Sequence, residues 1–252
     1  MRSVILLDLK IDKDEALALL DDFGEFFEKH TGIECEWYVE RRDFSVVPTV
    51  PDSDGDLKPT KEYRKALETD VHNRYGDYGT DNIVMWVHED NFLYKRIWGS
   101  NWSYNFYKYS FQLCRWDKDN PVNTFNTLFH EGGPGHSADA LVREELAVDL
   151  NEKLAQHIWQ SDDFSNEDKQ YVAVNGFDWD KDYIHGKLPS VQYMGKRGYT
   201  YSEDNLRPLK VAAPLIAEAY ALRKEKHLER IGIMKRIIQI LSTIVSLLGR
   251  KG

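Results

Sequence analysis

The N-terminal half of the chain alternates between apolar runs and amphipathic stretches. Residues 3–10 and 82–90 have the composition of buried strands, and residues 33–47 and 111–118 are rich in strand-forming side chains. Residues 12–32 place apolar side chains at helical spacing, and 61–76 form a second predicted helix. Residues 48–60 and 98–110 have loop compositions. The pattern predicts the order strand, helix, strand, helix, strand, strand, and residues 111–118 are presumed to form an edge strand.

The rest of the chain is predicted to be mainly helical. Pro121 suits a helix start, and residues 121–131 have one apolar face. A Gly-Gly-Pro-Gly break follows, after which Ser137 can cap a helix over 138–160. We therefore expect an α+β domain over 1–160, a loop-rich segment over 161–202 and a helical C-terminal region over 203–252. Pro208 and Pro214 are possible helix breaks.

The last predicted helix is unusually apolar. Its coiled-coil core positions would be taken by Ile231, Met234, Ile238, Leu241, Val245 and Leu248, and further isoleucines widen the apolar face. A helix of this kind has to bury that face. Three partners stay open: the protein's own domain, copies of the chain meeting through Ile231–Leu248, and a membrane surface.

Composition narrows the classes of function. The 252 residues carry a formal net charge of −9, which disfavours general nucleic-acid binding. Cys35 and Cys114 do not form a metal-binding or redox pair. The apolar run near the N-terminus is too short for a signal peptide, and no run approaches the roughly 18 apolar residues of a membrane span. We expect a soluble protein without a signal peptide or transmembrane span, cytoplasmic or of unknown location.

The stretch LFHEGGPGHSADAL at 128–141 concentrates chemically useful side chains. His130, Glu131, His136 and Asp139 lie within ten positions, and all four residue types bind metals or transfer protons. A glycine- and proline-rich break separates the two histidines. The stretch is therefore a candidate metal site.

A strand–helix–strand layer that leads to a helix ending in His-Glu resembles the zincin metallopeptidases, whose helix carries H-E-x-x-H. The resemblance covers about residues 1–150. It implies a mixed sheet with an active-site helix, and a bound Zn²⁺. It also implies His130 and His136 as zinc ligands and Glu131 as the base that takes a proton from water. The implied substrate is a peptide. The aromatic residues of 98–110, whose faces can stack on sugar rings, would also suit a peptidoglycan-type polymer.

The spacing of the two histidines departs from that family pattern. His130 and His136 are six positions apart instead of four. On one continuous helix they would point about 120° apart and be separated by about 9 Å along the axis. Both can reach one ion only if the Gly-Gly-Pro-Gly break turns the chain back.

A third ligand is needed to complete a zinc site with one open position. Asp139 is the nearest carboxylate in sequence, and Glu144 or Glu145 resembles the downstream glutamate of one zincin branch. His157 lies farther along the same predicted helix. The sequence favours Asp139 or Glu144.

Other functions remain open from the sequence. The chain could be a catalytically inactive, zincin-like structural or interaction protein that self-associates through its C-terminal helix. Residues 132–137 could instead cradle a phosphate with backbone N–H groups. By the zincin resemblance, the aromatic residues of 98–110 could border a substrate cleft, and His185, Tyr193 or Tyr199 could stabilise an oxyanion.

Overall fold

The computed structural model describes most of the chain. The described residues are 1–51, 55, 57–76, 81–91, 99–103, 110–117, 119, 121–132, 136–179, 182, 186–190 and 203–249.

A five-stranded sheet forms the centre of the fold. Its strands are β1 (Arg2–Asp8), β2 (Glu36–Arg42), β5 (Asn82–His88), β6 (Gly99–Ser103) and β7 (Ser110–Trp116). They lie in the order β2-β1-β5-β7-β6. The first four are parallel to their neighbours, and β6 is antiparallel to β7. A hairpin of β3 (Thr49–Pro51) and β4 (Leu57–Pro59) is separate from this sheet.

Seven helices accompany the sheet in the described part of the chain. They are α1 (Lys13–Thr31), α2 (Lys61–Tyr75), α3 (Pro121–Gly132), α4 (Ser137–Leu146), α5 (Leu150–Gln160), α6 (Asn166–Asn175) and α7 (Glu203–Gly249). A short 3₁₀ turn, Glu89–Asn91, follows β5.

The sheet separates two apolar cores because its strands alternate side chains between its faces. On β1, Ile5 and Leu7 belong to the larger core, which also includes residues of α1 and α3–α7. Val4 and Leu6 point to the smaller core, beside Val71 of α2. Both faces of the parallel strands are therefore covered, as their continuous apolar runs require.

The mixed α+β class predicted from the sequence is confirmed. So are the strand–helix–strand–helix–strand order and the helix that delivers His130. Both ends of helix α1 have the capping residues expected from the sequence. The Asp12 carboxylate accepts hydrogen bonds from the backbone N–H groups of Asp14 and Glu15, and Gly32 ends the helix in a left-handed conformation.

The predicted edge of the sheet was wrong. Residues 111–118 were expected at the edge, but β7 lies between β5 and β6. The edge strand is β6, formed by Gly99–Ser103 inside the stretch predicted to be a loop. The mainly small and polar residues of β6 do not indicate a strand, but all five of them pair with β7. The hairpin β3–β4 likewise falls in a predicted loop.

The structure differs from the predicted helices at three places. The helix expected over 138–160 is divided into α4 and α5, because Ala147 adopts a positive φ and Asp149 caps a new helix. The loop-rich segment 161–202 contains α6, which begins with a capping box between Ser165 and Asp168. Pro208 and Pro214 do not interrupt α7, which runs for 47 residues.

The long helix α7 has two different halves. Leu209, Ala212 and Ile216 are buried in the larger core, and the helix contacts α1, α4 and α5. From residue 233 to residue 245 every residue is exposed. Among the helices that the structure describes, none combines the length and apolarity required to traverse a bilayer.

Candidate metal centre

The orientation of α3 is set by aromatic packing against α1. The Phe125 ring lies 5.4 Å from Phe23 and 5.5 Å from Phe26, measured between centroids. Phe129 packs edge-on against Phe26 at 5.6 Å. At the start of the helix, Thr124 accepts a hydrogen bond from the backbone N–H of Asp117, which ties α3 to the end of β7. These contacts fix the rotation of the helix that carries His130 and Glu131.

The two histidine side chains meet in spite of their six-residue separation. Nε2 of His136 lies 3.3 Å from Nε2 of His130, and the rings are nearly perpendicular. His136 precedes the first residue of α4, with a backbone conformation (φ −133°, ψ −87°) outside the helical range. The break between α3 and α4 therefore brings the second imidazole back to the first. Residues 133–135 lie outside the described part of the chain.

Glu131 completes a group of three potential ligands. Its Oε2 lies 4.0 Å from Nε2 of His136, and one ligand atom from each of the three residues falls within 4.8 Å of the others. The carboxylate side is enclosed, since Glu131 is only 4% exposed, whereas the His136 side chain is 34% exposed. The group is thus open to solvent from the imidazole side.

The edge strand β6 passes directly over this carboxylate. A Cβ atom placed on Gly99 would lie 2.9 Å from Oε1 of Glu131, 2.8 Å from the backbone oxygen of Leu113 and 2.6 Å from Thr127. Such distances are shorter than any normal carbon contact. Glycine at position 99 is therefore what allows the strand to approach α3 so closely.

The Ser137 hydroxyl joins the helix break to the sheet. It donates a 2.7 Å hydrogen bond to the backbone oxygen of Glu131 and accepts one of 3.1 Å from the side-chain amide of Gln112. It also contacts the Ser110 hydroxyl. Because the single hydrogen of Ser137 is given to Glu131, Ser110 is the donor in that contact. Ser137 was expected to cap α4, but its hydroxyl points to β7 instead.

The hydrogen bonds between Ser137 and strand β7 were not predicted from the sequence, although the composition of β7 indicated that such bonds are needed. Ser110 and Gln112 are polar residues on a strand whose other residues are nearly all apolar, and both are buried. A buried polar pair on a central strand needs partners. Here the partner is Ser137, one residue from the candidate ligand His136.

Burial also keeps the thiol of Cys114, close to Glu131, in its neutral form. Cys114 is fully buried on β7, and its burial, reinforced by the negative charge of Glu131, raises the pKa of the thiol well above its usual value. Cys114 is therefore a neutral thiol at neutral pH.

The two carboxylates expected as third ligand are not grouped with His130, Glu131 and His136. Asp139 pairs with Arg143 at 2.9 Å; burial raises the pKa of Asp139, and the charge of Arg143 opposes that rise. Glu144 is exposed on α4. His157 is on the separate helix α5, edge-on to Phe164. Asp139 and Glu144 as ligands stay predictions.

Glu145 has a structural contact instead. Its side chain is 7% exposed and binds Arg223 at 3.0 Å and Lys226 at 2.7 Å, both on α7. Burial acts against its ionisation, but hydrogen bonds from Lys226 and Arg223 hold the pKa of Glu145 below its usual value. This contact fastens α4 to α7.

Several further candidates lie outside the described residues. They are Trp98, the aromatic residues at 104–109 and the three proposed oxyanion donors His185, Tyr193 and Tyr199. Ser137 does not contribute its hydroxyl to a phosphate site at 132–137, because that hydroxyl is buried and already hydrogen-bonded within the protein.

The residues present fit a zinc ion. Two ligands at about 2.0–2.1 Å from one tetrahedral zinc ion lie about 3.3–3.4 Å apart, and the two Nε2 atoms are separated by 3.3 Å. Imidazole and carboxylate are also ligand types that zinc accepts. Comparisons with known protein families, with curated proteins and with solved structures find no match to this chain.

Proposed function

We propose that the chain is a zinc-dependent hydrolase of peptide bonds with a zincin-like site at His130, Glu131 and His136. The observation that carries the proposal is the 3.3 Å separation of the two Nε2 atoms. It removes the main objection to the longer motif, namely that six positions would direct the rings apart. The fold agrees with the resemblance in its mixed sheet and its His-Glu helix.

In this proposal the two imidazoles hold the metal together with a third ligand that stays a prediction, Asp139 or Glu144, and Glu131 acts as base. A bound zinc ion would lower the pKa of a water molecule towards neutrality and polarise a carbonyl group. Glu131 would accept the proton of the attacking water and pass it to the leaving amine. Its Oε2 lies 4.0 Å from Nε2 of His136, which is longer than the separation of two ligands of one zinc ion and suits a base beside the ion.

The substrate class follows from the edge strand. Among the described strands β6 is the last of the sheet, and in this proposal its outer side pairs with an extended chain. A peptide added to that side would run past the carboxylate that Gly99 adjoins. An extended peptide is therefore the substrate we favour. A peptidoglycan-type polymer is the second choice, because its recognition would rest on the aromatic residues of 98–110.

The proposal is tested first by metal content. Purified protein is measured by elemental analysis and titrated with Zn²⁺, alongside His130→Ala and His136→Ala. His157→Ala is the matched control, since that histidine lies on α5 outside the ligand group. We expect about one zinc per chain in the wild type and the control, and at least a 100-fold loss of affinity in each of the other two variants.

Catalysis is tested separately on the zinc-loaded protein. A mixture of unstructured peptides is incubated with the wild type and with Glu131→Gln, and cleavage is followed by mass spectrometry. We expect cleavage by the wild type only, with zinc bound by both proteins. Zinc binding without cleavage would leave a metal-binding interaction protein. Failure of the wild type to bind zinc would overturn the proposal.

A further inference from the structure

The second half of α7 extends from the body of the protein as an isolated helix. The last contacts to the body that we identify are those of Arg223 and Lys226 with Glu145. We call residues 228–249 the tail helix. Between residues 233 and 245, eight of its apolar residues are between 45% and 68% exposed: Ile233, Met234, Ile237, Ile238, Ile240, Leu241, Ile244 and Val245. The protein's own domain, one of the three partners considered above, does not cover this face.

The exposed apolar area of the tail helix is close to the area that one partner buries in a protein–protein interface. Eight aliphatic side chains exposed by about half leave on the order of 700 Å² uncovered, more than the roughly 300–600 Å² patch of a typical monomer. Each partner in a standard protein–protein interface buries about 800 Å². One helix of this length can therefore supply most of one side of a stable interface.

The order of residues on the tail helix follows a heptad repeat. Ile231, Ile238 and Val245 occupy one core position, and Met234 and Leu241 occupy the other. The eight exposed residues together span an arc of about 160° around the helix. This arc is wider than the seam of a two-stranded coil and is typical of a helix in a bundle. The pattern favours other helices of the same kind as partners.

Charge decides the relative direction of those helices. Of 33 basic and 42 acidic residues, five basic and no acidic residues follow Glu229, which leaves residues 1–229 with a net charge of −14. Parallel tail helices would place these acidic bodies side by side. They would also bring Arg230 of one copy next to Lys235 of the other, across the flanks of the seam. Both contacts are repulsive.

Antiparallel helices avoid both conflicts. The bodies then lie at opposite ends of a contact about 30 Å long, well beyond the screening length at physiological salt. Met234 of one copy falls opposite Val245 of the next, and Ile238 opposite Leu241.

We propose that the tail helix docks against tail helices of further copies of this chain, with neighbouring helices antiparallel. Since an antiparallel arrangement closes only with an even number of helices, the oligomer is a dimer or a tetramer. This inference does not depend on the metal centre, and each can fail without the other.

The oligomeric state tests the proposal. Full-length protein at micromolar concentration is measured by light scattering and by sedimentation equilibrium. The variant Ile238→Glu with Leu241→Glu changes the apolar face, and Gln239→Glu with Ser242→Glu is the matched control on the polar face. We expect an even-numbered oligomer for the wild type and the control. The first variant should dissociate at least 100-fold more readily, with unchanged helix content and thermal midpoint of the body.

Crosslinking tests the direction. Ile238→Cys and Leu241→Cys proteins are oxidised separately and as a mixture. Antiparallel helices predict disulfides mainly in the mixture, whereas parallel helices predict them in each protein alone. A trimer, or crosslinking only in the separate proteins, would refute the antiparallel arrangement.

A membrane surface is the competing partner. Sedimentation with vesicles of phosphatidylserine and phosphatidylcholine, and of phosphatidylcholine alone, distinguishes it. A wild-type protein that is monomeric in solution overturns the proposal, and its capture by the anionic vesicles alone would assign the tail helix to an anionic lipid surface.

Discussion

The hydroxyl of Ser137 and the backbone oxygen of Glu131 are joined by a 2.7 Å hydrogen bond that closes the break between α3 and α4. This bond spans the same six-residue interval as the two histidines, one position farther along the chain. It explains how a motif with the wrong helical spacing can still bring two imidazoles together. The convergence depends on a bonded turn anchored to Gln112 of the central sheet, not on the periodicity of a helix.

We predict that Ser137→Ala weakens both the fold and the metal site. The change leaves the buried amide of Gln112 and the backbone oxygen of Glu131 without this partner, which costs about 2–3 kcal/mol of unfolding free energy. Loss of such a support typically lowers metal affinity about 10–100-fold. Urea unfolding and zinc titration measure the two effects.

Ser161→Ala is the control for this prediction. The Ser161 hydroxyl accepts a hydrogen bond only from the nearby backbone N–H of Asp163 among the bonds identified, at the protein surface. We expect a loss below about 1 kcal/mol and an unchanged zinc affinity. Equal effects of the two substitutions would contradict the special role of Ser137.

Gly99→Ala should disturb the edge strand. The new methyl group would meet the Leu113 backbone and Oε1 of Glu131 at less than 3 Å, and a backbone atom cannot rotate away. We expect a loss of about 1–3 kcal/mol in unfolding free energy and a lower affinity for zinc, because β6 or Glu131 has to move.

The same substitution at Gly24 provides the comparison. A Cβ there would lie 3.6 Å from Cβ of Cys35, which is an ordinary contact, and the position is inside α1. Gly24→Ala should therefore be neutral or stabilise the protein by up to about 1 kcal/mol. If Gly99→Ala were equally harmless, the close approach of β6 to the carboxylate would be refuted.

The parts of the fold that the sequence predicted are those with a strong local signal. β1 and β5 are continuous apolar runs, and α1 carries both of its caps in its own sequence. By contrast, β6 has almost no intrinsic strand preference, and its place in the sheet comes from pairing with β7. A strand formed by long-range pairing cannot be recognised from composition.

The candidate site was predictable in its residues but not in its geometry. His130, Glu131 and His136 are evident from residue type and proximity, whereas their convergence depends on Ser137 contacting a strand more than twenty positions away. Asp139 was selected by nearness in sequence and Glu144 by resemblance to the downstream glutamate of one zincin branch. The structure places Asp139 against Arg143, and a sequence does not reveal which of two local charges a carboxylate will face.

The two native thiols should be unreactive in the folded protein. Burial raises the pKa of Cys35 to about 12, partly opposed by the nearby N-terminal amine, and Cys114 is fully buried. At pH 8 we expect almost no reaction with a thiol-exchange reagent, and two thiols per chain in guanidinium chloride. Rapid reaction of one thiol in native protein would show that its environment is open. This inertness is also what makes the crosslinking test of the tail helix interpretable.

The carboxylate of Asp168 should give the folded state a defined acid sensitivity. It accepts hydrogen bonds from the backbone N–H groups of Ser190, at 3.0 Å, and Ser165, at 3.3 Å, and from both serine hydroxyls. Burial acts to raise its pKa, but these hydrogen bonds outweigh that effect and hold the pKa of Asp168 below its usual value. The folded state therefore binds a proton at Asp168 less readily than the unfolded state does.

The stabilisation from Asp168 is consequently complete above its unfolded pKa of about 3.9 and is lost as the pH falls through the lower, folded value. Asp168→Asn should cost about 2 kcal/mol at pH 7, and its difference from the wild type should shrink below about pH 4. Urea unfolding at pH 7, 5, 4 and 3 measures this. Asp162→Asn, at a fully exposed carboxylate, should match the wild type throughout. A difference between wild type and Asp168→Asn that stays constant down to pH 3 would mean that packing, not ionisation, underlies the contribution of Asp168.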